Sequence, residues 1–169
     1  GAKREEAMEI SVRNQQRKIK IDLGLLREIT GRTLEDLGHP DAECGVLVVN
    51  DKRIAHLNGT FRGITAPTDV LAFAMQEGPG VEWVPHLLGD VVISAERALS
   101  QAQERGHSLA SELCFLLVHG LLHLLGWEDT TEAGRREMLR AQKRIVRRIF
   151  PDGVDNCRTR ERPKAHIAR

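Results

Sequence analysis

The run from Ser108 to Gly126, SLASELCFLLVHGLLHLLG, constrains the fold more than any other stretch of the chain. It is apolar on nearly every side, so a helix built from it has no face to offer water and must lie at the centre of a domain. Other elements then have to be laid around it. Ser108 begins this helix, and Gly126 ends it. The chain has 169 residues, enough for one full core and too few for two comfortable ones.

The elements available to surround that helix can be read from periodicity. MEISVRN (8–14), CGVLVVN (44–50), TDVLAFAM (68–75) and GDVVISA (89–95) are four short runs with strand character. Residues 22–38 place Leu25, Leu26, Ile29, Leu34 and Leu37 on one helical stripe, with Asp22 as N-cap and Gly38 and Pro40 closing it. Asp51 is expected to cap a short helix through Ile54 and Leu57. ERALSQAQERG follows the fourth strand as a helix stopped by Gly106. From Thr131 a last amphipathic helix turns Met138, Ile145 and Ile149 inward and its arginines outward. Between the third and fourth strands lies a loop bearing Gly and Pro, QEGPGVEWVPHLL. No repeat or linker interrupts the pattern. The expected fold is therefore α+β: one domain over residues 8–150, a small mixed sheet of about four strands and about five helices. Residues 1–7 read as an extension ahead of Met8, and 151–169 as a polar, basic tail.

Two histidines stand four apart near the end of the buried helix, in HGLLHLLGWED (119–129). Both imidazoles of His119 and His123 then project from one face. Gly126 lets the chain reverse, so that Asp129 can swing back as a third ligand. This is the spacing that supplies zinc ligands in H-E-x-x-H enzymes, and the layout matches metzincin proteases except at one position. Where those carry a general-base glutamate, this chain has Gly120. Metal binding is supported and proteolysis is not. Asp129 has a rival reading as N-cap of the last helix; as a ligand it would lower the site's charge and weaken the metal as a Lewis acid.

Other polar groups flank the same core. Arg62 is expected in a loop, followed by Thr68 and Asp69 at a strand start, and a guanidinium facing a metal suits a phosphodiester. Asp69 and Asp90, each opening a strand, can equally close turns. The run RNQQRKIK (13–20) could touch an RNA backbone, although such runs are ordinarily solvated faces. Net charge is only +1, so any basic footprint must be local. Aromatic residues make up 4% and tyrosine is absent, which argues against a base-stacking platform. The three cysteines, Cys44, Cys114 and Cys157, are odd in number and far apart, so a reducing compartment fits better than a disulfide framework. With no apolar stretch long enough for a bilayer and no signal-peptide pattern, the expected address is cytoplasmic, without a membrane.

Taken together, these residues resemble the YbeY family of metal-dependent endoribonucleases, or ribosomal RNA maturation factors. The family pattern H-G-x-L-H-L-x-G-x-x-H is met by His119, Gly120, Leu122, His123, Leu124 and Gly126. A second block, L-N-x-x-[YF]-R followed by P-T-D-V-L-[SA]-F, is met by residues 57–62 and 67–73. A third, G-D-[IV]-x-I-S, is met by 89–94. The likeness spans roughly Met8 to Ile149. It implies one zinc ion per chain held by the 119–129 segment at the end of the central helix. It also implies cleavage of single-stranded RNA, processing of small-subunit ribosomal RNA, and partners on the small ribosomal subunit. Arg62 stands where the family has its functional arginine, with Thr68 and Asp69 on the substrate side. Asp129 departs from the family histidine. The alternative is a ribosome-associated RNA-binding protein whose metal is structural and whose catalysis is weak or absent.

Overall fold

The computed structural model describes residues 9–64, 66, 68–75 and 86–156. The expected extension 1–7, Cys157, the end of the basic tail and most of the loop at 76–88 lie outside these residues, as does Pro67. The sheet is built around β2 (Glu43–Val49), which pairs in parallel with β1 (Glu9–Asn14) on one side and with β4 (Leu87–Ser94) on the other. β3 (Val70–Ala74) adds to β4 antiparallel, giving the order β1-β2-β4-β3. β2 alternates buried Cys44, Val46 and Val48 with half-buried Glu43, Gly45 and Leu47, and is buried on its second face only at its end, at Val49.

Five helices complete the fold: α1 (Leu23–Asp36), α2 (Asp51–Arg62), α3 (Ala95–Arg105), α4 (Leu109–Leu124) and α5 (Glu132–Ile149). The α+β domain with a four-stranded mixed sheet is the one the sequence predicts. Helix α4 is the centre, packed against α1, α3, α5, β3 and β4. Leu117, Leu121 and Leu122 are fully buried, each contributing roughly 1.5–3 kcal/mol of transfer free energy. Its first turn is anchored by Glu112, whose fully buried side chain accepts from Arg105 at 2.8 Å and meets His107 at 2.6 Å. Such an acid is tolerated in a core because it is paired and lies where the helix dipole favours a negative charge. On the other face of the sheet a smaller cluster, Val49, Ile54, Leu71 and Val92, packs under α2. Past α5, Val154 is buried within the main core, and Ser108 Oγ donates to Asp155 at 3.0 Å.

Several local expectations are corrected. Asn50, not Asp51, is the N-cap of α2, its side chain accepting from Arg53 N, while Asp51 in the first turn accepts from Ser94 Oγ at 2.6 Å. The helix continues to Arg62, beyond the short helix expected through Ile54 and Leu57. β3 starts at Val70, so Thr68 and Asp69 precede it, and β4 starts at Leu87, which places Asp90 inside the strand rather than at its opening. Met138, Ile145 and Ile149 are buried as expected, and Cys44 and Cys114 are free and buried. Burial pushes both thiols up to about 12, leaving them unreactive. Among the described residues no single helix is long and apolar enough to cross a membrane; α3 and α4 pass only when taken together, and they bend by 117° against each other.

Gly120 sets how closely α4 approaches the sheet. A Cβ there would stand 2.6 Å from Val91 Cγ1 and 3.3 Å from Val70 Cγ2. The glutamate of the protease motif therefore has no room at this position, which explains the departure in steric terms. We expect Gly120→Ala to lower stability by about 1–3 kcal/mol through overpacking, read as a fall in the urea midpoint. Adding Val91→Ala should recover part of the loss. An unchanged midpoint in the single variant would show that the approach is not tight.

Candidate metal centre and cleft

His119 and His123 occupy the last two turns of α4, on the face turned towards α5 and the chain reversal. The reversal is a Schellman turn: Trp127 N donates to Leu122 O and Gly126 N to His123 O, both at 3.0 Å. It needs the left-handed backbone that Gly126 adopts, with φ +99°. The same turn performs two further tasks. It presents Trp127 O to His123 Nδ1 at 3.0 Å, and it carries Asp129 back over the histidines. Thr131 then caps α5, its side chain accepting from Gly134 N. Asp129 is thus free of the capping role proposed for it as an alternative.

The ligand atoms converge. His119 Nε2 and His123 Nε2 are 3.1 Å apart, and each lies 3.5 Å from Asp129 Oδ2. Atoms held about 2.0–2.1 Å from one tetrahedral ion stand roughly 3.3–3.4 Å from one another, so the spacing is what such an ion requires. These three side chains are the group among the described residues able to hold a metal.

Proton positions sharpen the argument. Gln142, which is 3% exposed, donates through Nε2 to Phe115 O at 3.4 Å. That orientation leaves its Oε1 facing His119 Nδ1 at 3.0 Å, so Nδ1 must be the donor. Trp127 O can only accept, so His123 Nδ1 is a donor as well. In the neutral imidazoles both Nε2 atoms then carry lone pairs. Two lone pairs and a carboxylate facing one another repel unless a cation lies between them. The arrangement is that of a metal site whose imidazoles are oriented by partners behind them. Gln142 was not legible in the sequence: it looks like any helical glutamine, and only the fold brings it to a histidine 23 residues away.

A cleft of about 1000 Å³ opens over the three ligands, and Arg62, Thr68 and Asp69 line it too. The expected site residues are therefore brought together, though not as expected in detail. Arg62 is the last residue of α2, before Gly63 at φ +75°, and not a loop residue. Its Nη2 donates to Ala72 O at 2.6 Å, on the outer edge of β3, and its guanidinium lies 5.7 Å from the Phe73 ring centroid. It covers an exposed strand edge while still lining the cleft. Asp69 accepts from Gln101 Nε2 at 3.2 Å and its backbone carbonyl from Ser94 N at 2.9 Å, so it straps the start of β3 to α3 and β4. His39, Asp41, His86 and Glu128 also line the cleft. None was singled out from sequence, because none lies within a recognisable spacing.

Comparison with known proteins places this architecture. The profile of the family described as Endoribonuclease YbeY matches residues 11–149. A protein of that name from Desulforamulus reducens is 42% identical over 149 residues, covering 84% of this chain and 97% of its own length. One from Geobacter metallireducens is 38% identical, covering 87% of this chain and 99% of its own. A solution structure of a Thermotoga maritima protein shares the fold with a TM-score of 0.58 at 24% identity, covering 85% of this chain and 90% of that one.

If Gln142 orients His119, Gln142→Leu should weaken zinc binding by about 10–100-fold, the usual cost of losing a partner behind a ligand. Gln142→Glu, which keeps an acceptor, should restore it. The measurement is competition with a chromophoric chelator, together with the visible spectrum of the cobalt-loaded protein. Wild-type affinity in the leucine variant would remove Gln142 from the site.

Proposed function

Because the chain belongs to the YbeY endoribonuclease family, we propose that it is a zinc-dependent endoribonuclease cutting single-stranded RNA in the maturation of small-subunit ribosomal RNA. The observation that carries this reading is the convergence of two imidazole nitrogens and one carboxylate oxygen in a cleft that Arg62 also lines. The proposal includes a cytoplasmic setting, one zinc per chain, and a role in ribosome quality control through contact with the small subunit.

His119, His123 and Asp129 would hold the ion, and three protein ligands leave a position open to water or substrate. Bound there, zinc supplies a Lewis acid for the phosphodiester. The chain's own residues do the rest. Arg62 has five N–H donors; one is directed at Ala72 O, which leaves others for a phosphate oxygen in the cleft. The Thr68 hydroxyl lies 3.5 Å from Asp69 Oδ1 and can turn towards substrate. Asp69, held by Gln101, acts as a positioning residue. The titratable groups on the cleft wall, His39, His86, Asp41 and Glu128, are where proton transfer can be sought.

The test is cleavage of a single-stranded RNA by metal-free and zinc-loaded protein. We expect cleavage to require the metal and to disappear in His123→Ala, which should also fail to retain zinc, since two ligands rarely hold the ion. Asp129→His should bind zinc at least as well as the wild type. RNA binding without cleavage at any zinc level would favour the alternative, a binding protein with a structural metal.

Arg62→Ala should slow cleavage roughly ten- to a hundredfold, since a charge-assisted contact to phosphate contributes about 1.5–3 kcal/mol. Zinc content should stay unchanged. Loss of the bond to Ala72 O should lower stability by only about 1 kcal/mol. Arg62→Lys should recover part of the rate, offering charge without the two-pronged geometry. Undiminished cleavage would take Arg62 out of the site, and collapse of the fold would make it a structural residue of β3.

A further inference from the structure

The outer face of α5 is not used by anything described above. This helix carries seven basic and two acidic residues, a net +5 in a chain whose total is +1, so everything else sums to −4. The basic residues are not spread evenly. Arg136, Arg140, Lys143 and Arg147 follow one another at spacings of four, three and four, which at 100° per residue puts them within a narrow exposed stripe. The stripe is about 16 Å long at 1.5 Å per residue. Arg148 is directed elsewhere: its guanidinium makes a bidentate pair with Asp36 and, with help from Arg144, holds that carboxyl below its ordinary value.

A solvated helix face ordinarily interleaves acids with bases at i and i+4. Here Arg136 and Arg140, Arg140 and Lys143, and Lys143 and Arg147 are like-charged neighbours. Acids come near only at the N-terminal end, where Glu132 lies 3.9 Å from Arg136 and Glu137 3.7 Å from Arg140, both exposed pairs of small effect. Lys143 and Arg147 have no ion-pair partner among the described residues. The inner face of the same helix, Met138, Ala141, Ile145 and Ile149, is locked in the core, so the helix cannot lay an apolar face into a membrane. It offers charge alone.

We propose that this stripe is a docking surface for the phosphate backbone of a double-stranded RNA segment, separate from the cleavage cleft. Three of its four cations are arginines, suited to bidentate contact with phosphate. Helix α5 has no aromatic side chain, so it lacks what single-strand binders use to stack bases. A paired segment, recognised by its shape and backbone, is the form that asks for charge without stacking. Gln142 marks the direction of the metal centre on the inner side of α5, about 100–160° round the helix from the four residues of the stripe at 100° per residue. RNA bound to the stripe therefore does not compete for the cleft. The choice of RNA rests on the endoribonuclease reading; the site itself does not.

The test uses the zinc-loaded protein and a blunt RNA duplex of about 16 base pairs, the span a compact double-strand-binding module covers. The variant Arg136→Gln/Arg140→Gln/Lys143→Gln/Arg147→Gln keeps good helix formers in place. It should bind the duplex at least tenfold more weakly, and the slope of log affinity against log salt should become shallower by about 3–4 units for four lost phosphate contacts. Its melting temperature and its cleavage of a short single-stranded RNA should match the wild type. As a control, Arg13→Gln/Arg17→Gln/Lys18→Gln/Lys20→Gln removes the same charge from the 13–20 run and should leave duplex binding largely intact. Unchanged duplex affinity and slope in the stripe variant, or an equal loss in the control, would overturn the proposal. So would stronger binding by the stripe of single-stranded RNA or of phosphatidylserine vesicles. His123→Ala should still bind the duplex, so failure of the cleavage reading and failure of this one give different results.

Discussion

Two imidazole nitrogens and a carboxylate oxygen face one another at the end of α4, and most of the local structure serves to hold them there. The Nδ1–H groups of both histidines are committed to Gln142 and to Trp127 O. What remains is a set of three ligand atoms at 3.1–3.5 Å from one another, the spacing that one bound cation would bridge. The helix beneath is packed into the main core through Leu113, Leu117, Leu121 and Leu122, which holds these atoms in place. The Schellman turn at Gly126, the close approach at Gly120 and the buried Glu112 at the other end each fix one coordinate of that helix. Affinity for a metal is in this sense prepared by packing.

Asp129, where the resembled family pattern has a histidine, gives the site a carboxylate in place of a neutral imidazole. Its Oδ2 comes within 3.5 Å of both Nε2 atoms, because the turn through Gly126 and the cap at Thr131 bring the intervening residues back over the histidines. The added negative charge is not repeated behind the ligands, where His119 is held by a neutral amide. The donor set of two nitrogens and one oxygen is one that zinc accepts.

The candidate metal ligands are legible in the sequence because their geometry is local: an i, i+4 pair and a glycine-enabled return lie within eleven residues. The central position of α4 was legible for the same reason, since a run with no polar face can lie nowhere else. Arg62 was misplaced into a loop because Asn58, Gly59 and Thr60 are weak helix formers. Tertiary contacts override that preference, with Asn58 Nδ2 donating to Ala66 O and Arg62 to Ala72 O. Asn50 and Asp51 are both good caps, and the choice falls to Asn50 because Asp51 is needed by Ser94. Gln142, His39 and His86 could not be found from spacing at all, since they reach the cleft or its ligands only through the fold.

On this reading His119, His123 and Asp129 together form the coordination sphere of one metal ion. X-ray absorption at the zinc edge, on protein loaded with one equivalent, tests it most directly. The expected result is a first shell of nitrogen and oxygen only, at about 2.0–2.1 Å, with the outer-shell scattering of two imidazoles. A sulfur contribution at about 2.3 Å, or a signal lacking imidazole scattering, would contradict it.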